Sequence, residues 1–191
     1  MPSHEKMQTR DTVTAGLITN PKSAETLGAG GVYTVECVGA DGKVKWTDTF
    51  HNLVMNVGVQ DMNTQYFKGS AYTASPFLGL VTGPASGTTY AAADTLASHA
   101  GWTENTAYTG SRKAVTFGTA TTANPSVITN SASPSTFSMT GSATIAGAFL
   151  CTVASGTSGI LFSAGDFSAG DKVVANGDTL NVTYTFSLTA T

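Results

Sequence analysis

Charge is what this 191-residue chain has least of. Asp, Glu, Lys and Arg make up 11% of it, where soluble domains average about 25%. The nine Lys and Arg residues form no cluster, so the electrostatic footprint of a phosphate-backbone binder is missing and nucleic acid is not an expected partner. No stretch approaches the roughly 18 apolar residues of a membrane-spanning helix, and no membrane partner is expected. Met1 to Arg10 is polar without an apolar core, so no signal peptide is expected, and the chain is expected to fold in a reducing cytoplasm. Two cysteines, Cys37 and Cys151, are too few for a disulfide framework. Each falls on the apolar side of an alternating run, Tyr33, Val35 and Cys37 in one, Ile145, Phe149, Cys151 and Val153 in the other. Buried free thiols are the first reading and a bridge between them the second.

Histidine is equally scarce: His4, His51 and His99. Neither His4 nor His51 has a second His, Cys or carboxylate at metal-ligand spacing, and no metal or cofactor is expected. His99, with Asp94, Trp102 and Glu104 nearby, is the one cluster to weigh for chemistry. A nucleophile–base–carboxylate relay needs a distinguished nucleophile, and neither Ser98 nor Ser111 stands out in so serine-rich a chain. His99 and Trp102 read instead as residues fixing a loop against a sheet. There is no nucleophile elbow, no phosphate-cradling glycine loop and no calcium loop. Asp41, Asp171 and Asp178 sit in Asp-Gly or Gly-Asp turns. Trp46 lies in strand alternation and reads as core; Trp102 is the candidate for an exposed sugar platform. No catalytic residue emerges, and the expectation is a protein that is not an enzyme.

Ser and Thr fill the space that charge leaves. In the C-terminal run, Leu180, Val182, Tyr184, Phe186 and Leu188 point one way, and Asn181, Thr183, Thr185, Ser187 and Thr189 the other. Side chains on a strand alternate faces, so this run predicts a long strand with one apolar and one hydroxyl-rich face. Val32–Val38 and Val44–Phe50 alternate likewise around Asp41-Gly42, a hairpin signal. Further strands are predicted at Phe77–Val81, Lys113–Phe117, Ser126–Ile128, Thr136–Met139, Thr144–Val153, Gly159–Phe162 and Asp171–Val174. One helix is expected over Leu53–Phe67, capped by Asn52 and ended by Gly69, and Ala91–Ser98 fits a short helical turn. About eight to ten short strands at this spacing predict an all-β, jelly-roll-like β-sandwich over residues 31–191. Residues 1–30 carry few large apolar groups and read as an extended N-terminal arm. Leu17, Ile18 and Leu27 are its candidate anchors on a neighbouring surface.

From Leu53 onward the chain resembles proteins encoded among the virion structural genes of tailed bacteriophages and prophages. The resemblance is carried by His51–Gly58, Tyr66–Gly69, Leu78–Val81, Asp94–Glu104, Thr144–Leu150, Gly159–Ser163 and Gly177–Tyr184. It covers about two thirds of the chain. It implies a non-enzymatic virion component: first a capsid decoration (cement) protein on the head exterior, second a tail- or fibre-associated protein that binds the host surface. The implied partners are the major capsid protein and further copies of the chain, as a trimer or a dimer.

Overall fold

The computed structural model describes residues 27–68, 76–84 and 89–190. Leu17 and Ile18 lie outside them, as do Gly69 and most of the expected arm. Every strand pairing is antiparallel. Strands β1 (Leu27–Val38) and β2 (Val44–His51) form the expected hairpin, with Gly42 at φ 77° in its turn. Only a residue without Cβ takes that left-handed conformation at no steric cost. Strand β1 begins four residues before the expected boundary, because Leu27–Gly30 pairs with the far end of the C-terminal strand.

A two-residue strand, β3 (Leu53–Val54), precedes helix α1 (Asn56–Lys68). The helix therefore starts later than expected, and Asn52 does not cap it. Leu53 and Val54 pair with the strand at 161–166 instead. Asn52 turns its amide across the sheet, accepting from the Gly31 N–H at 2.7 Å and donating to the Tyr184 hydroxyl at 2.9 Å. Then follow β4 (Phe77–Thr82), β5 (Glu104–Asn105), β6 (Lys113–Ala114), β7 (Ser126–Thr129), β8 (Ser135–Ser138), β9 (Ala143–Cys151), β10 (Leu161–Asp166), β11 (Lys172–Val174) and β12 (Thr179–Ala190). The strand expected over Lys113–Phe117 stops at Ala114. Beyond it the chain crosses between sheets, Val115 N–H bonding Pro76 and Gly118 N–H bonding Thr129. Ala91–Ser98 forms tight turns, with a Thr95–Ser98 bridge, and no helix.

The result is the expected all-β sandwich. Sheet A runs β2-β1-β12-β7, with β8 also on β12; sheet B runs β3-β10-β9-β4-β5, with β11 on β9 and β6 on β4. The main core lies between the sheets, where the alternating residues Tyr33, Val35, Cys37, Leu180, Val182 and Tyr184 meet Leu78, Leu80, Ile145, Ala148 and Leu150. A second core covers the other face of sheet B, where Met55, Leu96 and Trp102 pack on Ala146, Phe149 and Cys151. Strand β9 is thus buried on both faces from Ile145 on, which is why it reads as a nearly continuous apolar run. Ile145, expected on one face with Phe149 and Cys151, faces the other core. The register shifts between Val81–Gly147 and Thr82–Ile145, and the extra residue of such a bulge exchanges the faces.

Candidate interaction surface

The outer face of sheet A is built by register. Its rows run Thr49–Thr34–Thr183, Thr47–Glu36–Asn181–Thr136, and His51–Val32–Thr185–Thr129. Each row residue is half-buried or exposed, while the alternate residues on the same strands are mostly buried in the core. Glu36 is the one carboxylate in these rows, and no Lys or Arg stands in them. Hydroxyls pair across strands, Thr34 with Thr49 at 3.1 Å and Thr185 with Thr129 at 2.9 Å. The Thr136 hydroxyl donates to the Asn181 amide oxygen at 3.1 Å. Each hydroxyl has one donor and two acceptor positions, so one mutual bond leaves every pair with unused capacity toward whatever lies on the sheet.

Buried polar joints hold this face rigid. Under it, Tyr33 and Tyr184 share Ser163: Tyr33 Oη lies 2.8 Å and Tyr184 Oη 3.4 Å from Ser163 Oγ. Burial raises the pKa of both phenols and keeps them protonated. The Asp48 carboxylate accepts from Ser168 N–H, Ser168 Oγ and Ala169 N–H, with Lys172 Nζ 3.4 Å away. Burial alone would raise its pKa; the Ser168, Ala169 and Lys172 bonds outweigh that and hold it below the usual carboxylate value. Asp178 is handled the same way, burial opposed by Lys45 Nζ at 2.6 Å and Ala175 N–H at 2.8 Å. These acids are fasteners between elements.

Cys37 and Cys151 are both free and buried, and they belong to different cores. The first reading stands and the bridge is excluded. Burial, then the Asp178 charge, pushes the Cys37 thiol up to about 11; burial also raises Cys151. Neither is a poised thiolate.

His99 stacks on Trp102 with centroids 3.9 Å apart. Its Nδ1 is 3.0 Å from the Trp102 carbonyl oxygen, which can only accept, so the bond requires the proton on Nδ1. Trp102 Nε1 donates to Asp94 at 3.2 Å, and its ring packs on Phe149. The cluster anchors the 89–103 segment on sheet B. Glu104 points elsewhere, into a two-bond contact with Arg112. Trp102 is only 5% exposed and offers no sugar platform. Trp46 is half-buried and packs edge-on against Phe167 at 5.4 Å, as a core-side residue. Among the described residues no group of three His, Cys, Asp or Glu side chains could hold a metal ion.

Of the candidate anchors, Leu27 alone is described. It starts β1 opposite Ala190 and is 69% exposed. Sequence reasoning missed the exposed aromatic pair Tyr66 and Phe67 at the end of α1, whose rings meet edge-to-face at 4.9 Å. Their roughly helical spacing with Val57 and Met62 suggested inward packing; the helix instead approaches sheet B through Gly58, where a Cβ would lie 2.8 Å from the Phe162 carbonyl oxygen. The chain matches no protein-family model, no curated protein and no solved structure.

Proposed function

We propose that this chain is a structural protein of a tailed-phage virion, a decoration protein that lies on the outside of the head and ties major capsid protein subunits together. The observation that carries the reading is the outer face of sheet A: mostly Thr, with Asn181, across five strands, and one carboxylate, one histidine and one valine in its rows. Such a face suits a flat protein lattice. Each neutral hydrogen bond is worth about 0.5–1.5 kcal/mol net, so holding power grows with the number of contacts and with repetition of the molecule over the shell. The buried joints beneath keep the face pre-formed, which limits the ordering entropy lost on docking. The resemblance from Leu53 onward supplies the phage context.

Salt separates this contact from an electrostatic one. Particles carrying the protein should retain it as NaCl rises from about 0.1 to about 1 M, because screening weakens only charge pairs. The double substitution Thr34→Lys, Thr183→Lys should shed it while leaving the fold unchanged, since both positions lie outside the core and burying two unpaired ammonium groups is unfavourable. Quantitative sedimentation of particles and bound protein reads both outcomes. Stripping by moderate salt would overturn the reading. The fibre-associated alternative calls for an exposed aromatic platform or a groove of acidic and amide side chains; Trp102 is buried, whereas Tyr66 and Phe67 are exposed.

A further inference from the structure

Glu36 stands inside the outer face of sheet A, in the row Thr47–Glu36–Asn181–Thr136, half-buried between Thr47 and Asn181. Four other carboxylates have a cation: Asp41 pairs with Lys43, Asp178 with Lys45, Glu104 with Arg112 and Asp48 with Lys172. Among the described residues no Lys or Arg lies within ion-pair distance of Glu36. Its side chain makes one hydrogen bond there, a long one, accepting from Asn181 Nδ2 at 3.4 Å. A carboxylate has about four acceptor positions, so most of those on Glu36 stand open on the face that the decoration reading turns toward the shell.

We propose that Glu36 fixes the register of this face: the capsid protein presents one basic side chain opposite it, within otherwise uncharged rows. The inference rests on the decoration reading and adds the partner's chemistry to it. Docking takes the carboxylate out of water. The neighbouring Thr hydroxyls and the Asn181 amide supply neutral bonds only, and a buried charge without a counter-charge is costly. A Lys or Arg on the shell replaces the lost hydration with charge-assisted hydrogen bonds, about twice as strong as neutral ones. The same cost selects position. Side chains on one face repeat every second residue, so a slide of two residues along the strands sets one hydroxyl row where another was. That slide carries Glu36 away from its cation and leaves both charges unpaired. One pair therefore distinguishes a single placement among several similar ones. Once buried it is screened little by salt, which agrees with retention of the protein at high NaCl.

The test adds the purified full chain back to particles that lack it, over a range of concentrations, and reads binding by quantitative sedimentation. Glu36→Gln keeps the shape of the side chain and its acceptor for Asn181 while removing the charge. It should bind at least about thirty-fold more weakly than wild type, as loss of one partner of a buried charge pair does. Its melting temperature should not change, since the side chain lies outside the core. Glu36→Lys, which sets an ammonium against the partner's cation, should not bind measurably. Asp41→Asn removes the same charge in the exposed hairpin turn and should bind like wild type. Glu36→Gln binding as tightly as wild type overturns the proposal and leaves the decoration reading standing. Equal weakening by Asp41→Asn also overturns it, because net charge and not position would then be at work. A wild type that does not bind the particles overturns both.

Discussion

Arg112→Ala should cost this protein about 3–5 kcal/mol of stability, the range for removing one partner of a buried ion pair. The Arg112 side chain is 6% exposed. Its Nε and Nη2 donate to the two Glu104 oxygens at 2.9 and 2.7 Å, and its Nη1 donates to the carbonyls of Val153 at 3.2 Å and Gly156 at 3.0 Å. The guanidinium also lies over the Phe149 ring, 5.2 Å from its centroid. One side chain thus ties β5, the start of β6 and the turn after β9 to the second core. Alanine leaves Glu104 and two carbonyls without their donor. Lysine cannot restore the fork, since a point charge does not reproduce two parallel bonds. Urea unfolding should show the midpoint falling sharply for Arg112→Ala and only partly recovered in Arg112→Lys. A midpoint near wild type for Arg112→Ala would mean the joint contributes little.

Gly147→Ala should be about as damaging, by 3 kcal/mol or more, at the upper end of overpacking costs. Gly147 pairs with Asp166 beside the bulge in β9. A Cβ there would lie 1.9 Å from the Gly165 carbonyl oxygen and 2.9 Å from Asp166 Cα. Those are backbone atoms of a paired strand, and they have no rotamer to change. The methyl would push β9 and β10 apart in the middle of sheet B. Gly30→Ala is the control: nothing lies within 4 Å of its Cβ position, and its stability should stay near wild type in the same urea series. Since small domains are stable by only about 5–15 kcal/mol, Gly147→Ala should also lower soluble yield. Equal stability for the two variants would contradict the register assigned to β9.

How far the sequence could be read depended on whether one strand decided its own environment. In β12 it did: five apolar and five polar residues alternate without interruption, and all of Leu180, Val182, Tyr184 and Phe186 are buried. The Asp41-Gly42 hairpin was legible for the same local reason. Strand β9 was not, because a second layer over sheet B and a bulge at Ala146–Gly147 break the period-two rule from outside the strand. The helix start was misplaced because Leu53 and Val54 fit helical spacing, yet their backbone completes an edge of sheet B. The Arg112–Glu104 fork and the Tyr33–Ser163–Tyr184 network join residues far apart in chain or unmarked by any motif. For the interaction surface, the hydroxyl side of β12 was plain from the sequence. That β1, β2, β7 and β8 extend it into a continuous face followed only from their register.

Cryo-electron microscopy of intact particles from a phage encoding this chain puts the whole account to its hardest trial. Density that fits this sandwich should appear on the exterior of the head, with Thr34, Thr183 and Thr185 turned toward the capsid protein. A head without such density, or a sandwich whose hydroxyl rows point to solvent while another surface grips the shell, would contradict it.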